Sequence, residues 1–244
     1  MLVFGLFSSK LIAQVGNDTP VIKLTVSGYT EAYFVTDFKH TQKGERQTFY
    51  YNYNRNKQLQ FNQSILKFNI SSPKIAMNLA LHAGTYVQDN YASASNFAKH
   101  ILEANINIAL NNKKTIYLTA GIIPSHLGFE SSVAFDNWNL TRSLLAEQSP
   151  YYETGLKFTY KPNEKYEFAT LFLNGWQKMQ RTPNEEQPSY GLQIQCKPSN
   201  KLTVNYSNFF GQTQPDTTTI YRLYHNLYLI SELNTKSSII LACD

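Results

Sequence analysis

Five histidines, His40, His82, His100, His126 and His225, are the residues from which metal chemistry would be expected. None stands in a His-x-His or His-x-x-x-His spacing, so no two imidazoles are set locally to grip one cation. Serines and histidines are both present for nucleophilic hydrolysis. However, no strained Gly-x-Ser-x-Gly turn raises a serine towards a base. Cys196 and Cys243 give neither a disulfide framework nor a metal-ligand spacing. No catalytic, cofactor-binding or metal-binding residue is therefore expected. What remains is charge of both signs. Lys23, Glu31, Lys67, Glu103, Lys157 and Arg222 each sit in an alternating segment, and His126, Glu130, Asp136, Arg142 and Glu147 fall in one long intervening stretch. Opposed charges of this kind orient polar solutes.

The elements that would position these side chains alternate with period two, the mark of strands. In 21–38, Ile22, Leu24, Val26, Ala32 and Phe34 oppose Lys23, Thr25, Ser27, Tyr29, Glu31 and Tyr33. In 63–71, Leu66, Phe68 and Ile70 oppose Gln63, Lys67 and Asn69. In 75–87, Ile75, Met77, Leu79, Leu81 and Ala83 oppose Asn78, His82 and Tyr86. The clearest alternation is 102–110, with Glu103, Asn105 and Asn107 between apolar neighbours. Segments 115–123, 152–160, 190–197, 202–210 and 221–230 repeat the pattern, and 238–243 begins one more. Segment 166–176 is ambiguous because both of its faces are apolar. His225 falls on the apolar side of its strand. The count is eleven strands.

The connections are more telling than the strands. Ser72-Pro73-Lys74, 111–114 (NNKK), 162–165 (PNEK), 198–201 (PSNK) and 231–236 (SELNTK) are tight, while 39–60, 88–100, 124–151, 177–189 and 211–219 are long. Long and short alternate throughout. That is the layout of an antiparallel up-and-down transmembrane β-barrel, with short periplasmic turns, long extracellular loops, apolar residues outward and polar residues inward. A β-sandwich would mix its connections in Greek-key fashion, and a lipocalin-like barrel would turn its apolar residues inward.

Composition fits this all-β reading. Only 16% of the 244 residues are charged, against roughly 25% in soluble proteins, and 14% are aromatic, with 17 Tyr and 15 Phe. Mean hydropathy is −0.36, and no run approaches the ~20 apolar residues of a membrane helix. A barrel needs only one apolar face, so its mean hydropathy stays negative. The net charge of +5 is not gathered into a Lys/Arg cluster, so no nucleic-acid partner is expected. Tyr and Phe near strand ends would form interfacial girdles: Tyr160 and Tyr166 flank one short turn, and Phe49, Tyr50, Tyr51 and Tyr53, in the first long loop, would lie at or above the other interface.

The N-terminal LVFGLFSSKLIA has the length of a signal-peptide core and ends at Ala13, although no positive segment precedes it. It reads as a signal-peptide remnant over 1–13, with an ordinary N-terminal strand or anchor as the alternative. Residues 14–20 then form a linker, and 21–244 an outer-membrane barrel.

Several blocks carry a family resemblance: LHAGTYVQDNYA at 81–92, HILEAN at 100–105, AGIIPSHLGFES at 120–131, NWNLTRSLLAEQSPYYETG at 137–155 and LNGWQKMQR at 173–181. Together they resemble the OmpL-like beta-barrel porin-2 family. The resemblance implies a barrel in the outer membrane of a Gram-negative bacterium, a channel role, insertion by the barrel-assembly machinery and no catalytic residue. Single-chain bacterial barrels have an even strand number. Eleven strands without a final aromatic are therefore expected to be an incomplete barrel, truncated at its C-terminus and at its N-terminus. Such a sheet would leave two unpaired edges.

The longest loop, 124–151, is expected to hold a short helix over 139–147, with Asn139 as N-cap and Leu140 and Leu144 four apart. Folded inward, it would set His126, Glu130, Asp136, Arg142 and Glu147 against Lys23, Glu31, Lys67, Glu103, Lys157 and Arg222 on the wall and narrow a pore. The opposing reading is a loop cap with ordinary surface pairs. Inward charges also suit a filled lumen, but filled barrels have about eight strands and open ones 16–18. The sequence thus points to a porin-like barrel in outer-membrane lipid that passes small polar solutes or ions. The alternatives are a closed structural or ligand-binding barrel and a soluble secreted β-domain. Asn17, Asn62, Asn69, Asn139 and Asn205 begin N-x-Ser/Thr triplets, read as chance in an Asn-rich chain.

Overall fold

The computed structural model describes residues 2–6, 11–15, 22–37, 45–46, 50–91, 94–139, 141–181, 187–214 and 220–244. His40, Phe49, Leu140 and linker residues 16–20 lie outside the described residues. The strands are β1 (Leu2–Leu6), β2 (Leu11–Val15), β3 (Ile22–Phe34), β4 (Leu59–Ser71), β5 (Ile75–Ala83), β6 (Ile101–Ala109), β7 (Ile116–Pro124), β8 (Tyr152–Asn163), β9 (Tyr166–Leu173), β10 (Ser189–Ser199), β11 (Leu202–Gln214), β12 (Ile220–Asn234) and β13 (Ser237–Cys243). They form one sheet in which β3 to β13 follow chain order. The expected eleven strands are these eleven. β1 and β2, in the segment read as a signal remnant and linker, pair antiparallel with separate stretches of β3, Leu2↔Phe34 and Leu11↔Val26. Among the described residues no pairing joins β13 to the opposite edge, so the sheet is not closed.

Compactness divides the chain into two units, Met1–Ala104 with Glu130–Glu147, and Asn105–Phe129 with Gln148–Asp244. In the first unit, Leu66, Ile70, Met77, Leu79 and Leu81 are exposed, whereas Glu31, Gln63 and His82 are buried on the other face of the strands. In the second, Leu192 (50% exposed) and Leu223 (64%) stand outward, while Glu153, Asn205 and Ser207 are at 0%. This is a soluble protein's polarity inverted, as lipid requires. Tyr160 and Tyr166 both stack beside Phe168 on the outward face next to their turn, with centroids 6.3 Å apart in each case.

The tight turns are closed by short polar side chains that replace ladder acceptors. Asn111 Oδ1 accepts from Thr115 N at 2.9 Å, Asn163 Oδ1 from Lys165 N at 2.9 Å and Asn234 Oδ1 from Lys236 N at 2.8 Å. Ser72 Oγ and Ser199 Oγ accept from Ile75 N and Lys201 N, both at 3.3 Å.

Four local expectations are corrected. β5 does not continue to Val87. Gly84, at φ 128°, turns the chain into helix α1 (Thr85–Asn90) at a point where a Cβ would lie 2.3 Å from Asn62 O. β11 runs on to Gln214, so its connection to β12 shrinks to 215–219. The helix expected over 139–147 is only α2 (Leu144–Glu147). Ser143, not Asn139, caps it, with Oγ accepting from Ala146 N at 3.3 Å. Finally, Tyr53 is buried rather than interfacial.

Candidate functional site

In the first unit, β3 and β4 bring a carboxylate and its donors together. Glu31, fully buried, accepts from Tyr29 Oη at 2.5 Å, from Tyr53 Oη at 3.1 Å and from Asn62 Nδ2. A classic strand repeat would not put both Asn62 and Gln63 inward. The register shift opposite Glu31/Ala32 does so, and both are buried. Tyr53 arrives from the first long loop at φ 53° and packs edge-on against Tyr33, with centroids 5.2 Å apart. Burial pushes its phenol well above the ordinary range, and the Glu31 charge pushes it the same way. Arg55 in the same loop donates to Asp89 Oδ1 at 3.0 Å. Burial opposes its charge, but Asp89 overcomes this and holds the guanidinium above its usual value. Further along the polar face, Lys67 reaches Glu103 at 2.8 Å, a pair joining β4 to β6. Gln63 donates to His82 Nδ1 at 3.2 Å, and His82 Nε2 donates to Lys99 O at 2.9 Å. Both histidine nitrogens are thereby committed. Lys23 is exposed at the short-turn end of β3.

The second half of the long loop belongs to this unit and folds onto the same residues. Ala134 packs against buried Tyr33, Val35 and Tyr53. Glu147 Oε1 accepts from Asn52 Nδ2 at 3.0 Å. Glu130 is spent inside the loop, accepting from Ser143 N at 2.8 Å and Asn139 Nδ2 at 3.3 Å. Arg142 Nη2 donates to Ala146 O at 3.1 Å, and Asp136 ends a short 3-10 turn and is exposed. Phe135 and Trp138 also stand exposed. Tyr86, in α1, is fully buried, which pushes its phenol upward.

In the second unit, the loop's first residues are bound to the polar face of β8, β10, β11 and β12. His126 Nδ1 lies 2.8 Å from Glu153 Oε2, and its Nε2–H donates to Asn208 O at 2.8 Å. Gly191 makes room for the ring, since a Cβ there would stand 2.7 Å from Nε2. Gly128 N donates to Asn226 Oδ1 at 3.1 Å, and Phe129 meets Tyr228 edge-on at 5.6 Å. Leu127 joins Ile123, Ala169, Leu171, Leu173 and Phe209 in a buried apolar cluster, flanked by Trp176 and Tyr224. This resolves the double-faced β9. Phe168 and Phe172 point outward, while Ala169, Leu171 and Leu173 pack under the loop. Arg222 lies over the Trp176 ring at 4.3 Å. Lys157 donates to Gln193 Oε1 at 2.9 Å. On the outward face, His225 Nδ1 is paired with Tyr206 Oη at 2.7 Å.

Of the wall and loop charges singled out from the sequence, the structure pairs Lys67 with Glu103. It binds His126 and Glu147 to partners the sequence did not suggest, turns Glu130 back into its own loop, and has Arg142 bond both Ala146 O and the Tyr86 hydroxyl. Glu153, Asn62, Asn208, Tyr53 and Trp176 were missed. Only Glu153 carried a usable signal, since it shares the alternation of Lys157 and Thr159 two and three steps up the same strand.

No curated protein and no solved structure matches the chain. The sequence profile of the family described as Putative beta-barrel porin-2, OmpL-like matches residues 23–244. A match over that span, with an up-and-down sheet whose strands are apolar on one face and polar on the other, shows that the chain belongs to this porin-like β-barrel family.

Proposed function

We propose that the protein lies in the outer membrane of a Gram-negative bacterium, inserted there by the barrel-assembly machinery, and lets small polar solutes or ions diffuse passively along its polar face. The observation that carries this reading is the inverted polarity of each unit: leucines and phenylalanines exposed on one face of the strands, with Glu31 and Gln63 buried on the other in the first unit and Glu153 and Asn205 in the second. Apolar residues contact lipid, and charged and amide groups line the path. Loop 124–151 narrows that path: its first residues are held on the polar face of the second unit by His126–Glu153, and its second half is held in the first unit by a bond from Asn52, in the first long loop, to Glu147. The role is transport, without catalysis. Purified protein in a planar bilayer is expected to give stepwise KCl conductance. Replacing 131–141 by a short Gly-Ser linker is expected to enlarge each step. A membrane that stays silent with folded protein inserted sinks the channel reading.

The apolar cluster around Leu127 and Leu171 favours a second reading, a barrel closed by its own loop that acts by binding. It predicts folded, inserted protein without conductance both before and after the loop is shortened.

A further inference from the structure

On the polar face of the second unit, at the end of the short turns, β6 to β9 enclose an open hollow of about 270 Å³ lined by Asn107, Tyr117, Thr119, Lys157, Thr159, Lys161 and Glu167. Its size falls just under the ~300–1,000 Å³ of pockets for drug-sized ligands, so it suits a small solute. Two ammonium groups share one carboxylate there. Lys161 Nζ is 2.7 Å from Glu167 Oε2, and Lys157 Nζ is 3.8 Å from Glu167 Oε1. One positive charge is left over. Lys157 carries three N–H donors, of which Gln193 Oε1 takes one at 2.9 Å and Glu167 draws a second. The remaining lining is neutral and hydrogen-bonding. Asn107 Nδ2 donates to Thr119 Oγ1 at 2.7 Å, which fixes the amide and leaves its oxygen and the threonine hydroxyl hydrogen for a ligand.

A net positive charge beside hydroxyls and an amide matches an anion that itself carries hydroxyls. We propose that this hollow binds a small hydroxylated carboxylate, with its carboxylate on Lys157 and Lys161 and its hydroxyls on Asn107, Thr119 and Thr159, as a subsite of the solute path assumed in the porin reading above. Glu167 sets the selectivity. It holds both lysines in place and, by its own charge, rejects dianions and weakens the hold on monoanions, so that the solute is released again.

The test is calorimetric titration of detergent-solubilised protein with sodium gluconate and with sorbitol, which differs from it only where the carboxylate stands. Gluconate is expected to bind at least roughly tenfold more tightly than sorbitol, the worth of a charge-assisted hydrogen bond. The double variant Lys157→Gln, Lys161→Gln is expected to lose that advantage. Glu167→Gln is expected to strengthen gluconate binding severalfold, which simple damage to the fold would not do. Heat-dependent gel migration checks that each variant is folded, and if the double variant is not, Glu167→Gln decides alone. Equal binding of gluconate and sorbitol, no gluconate binding by the unaltered protein, or unchanged binding in Glu167→Gln overturns the proposal. KCl conductance of the same protein is read separately. Gluconate binding without conductance sinks the channel reading and keeps the site, and conductance without gluconate binding does the reverse.

Discussion

His126 and Glu153 form a buried pair, with Nδ1 2.8 Å from the carboxylate and the two side chains 1% and 0% exposed. A carbonyl can only accept, so the contact of His126 Nε2 with Asn208 O commits that nitrogen as a donor. Nδ1 is thereby turned to the Glu153 carboxylate. The pair ties the first residues of the long loop to β8 and β11, and Gly191 beneath the ring makes the close approach possible.

Removing the imidazole leaves buried Glu153 with the backbone N–H of His126, 3.4 Å from Oε2, in place of the ring. His126→Ala is expected to cost about 3–5 kcal/mol, the range for breaking a buried ion pair from one side. Most of it should appear as loop release, because the strands keep their own ladder. Limited proteolysis within 124–151 reads this directly. A loop as protected as in the parent protein would refute the anchoring role.

Gly191→Ala tests the same anchor from below. The new Cβ would meet Nε2 at 2.7 Å, Cε1 at 2.8 Å and Asn208 O at 3.3 Å. The ring is held at both nitrogens and cannot simply swing away, so a loss of about 1–3 kcal/mol is expected, as for overpacking elsewhere. Urea unfolding compared with His126→Ala and with the double variant should show strong non-additivity. Plain additivity of the two losses would mean that they act independently.

Tyr53 and Tyr86 make loop docking sensitive to alkali. Burial raises both phenols above the unfolded value of ~10. A raised folded value favours the protonated form, so the stabilisation is fully present below pH ~10 and is lost as pH rises through the folded values. Loops 50–58 and 85–91 are expected to stay docked at neutral pH and to loosen well above pH 10, as followed by tyrosinate absorbance. Tyr53→Phe should remove one late-titrating tyrosine and weaken docking by about 1.5–3 kcal/mol, the value of a hydrogen bond to a charged acceptor. If all tyrosines titrate together near pH 10, both assignments fall.

The two faces of β10 should respond oppositely to charge. Leu192→Arg places a guanidinium on the exposed apolar face and is expected to cost about 2–4 kcal/mol in lipid vesicles if it lies near the bilayer centre. Gln195→Arg, on the polar face of the same strand, should cost little. Urea titration of vesicle-inserted protein compares them. Equal costs would argue against lipid on the Leu192 face.

Much of this was legible in the residues themselves. Lys67 and Glu103 were assigned to one face by counting in twos, and they meet at 2.8 Å. The turn asparagines 111 and 163 were legible as punctuation and act as such. The site was less legible. Tyr53 looked like one more loop aromatic, and nothing local shows that its hydroxyl ends on Glu31, 22 residues away. The doubled apolar faces of β9 made sense only once Leu127 was seen packed beneath one of them.

The division has a physical cause. A strand between an apolar and a polar surroundings must repeat its polarity every second residue. The sequence alone therefore determined the eleven strands, their inward and outward faces and the barrel family. Where a loop settles depends on contacts between distant segments, on a one-residue register shift that turns Asn62 inward, and on a missing Cβ at Gly191. Those depend on how strands align in space, so the anchoring of loop 124–151 and the lysine-lined hollow were decided only by the tertiary structure.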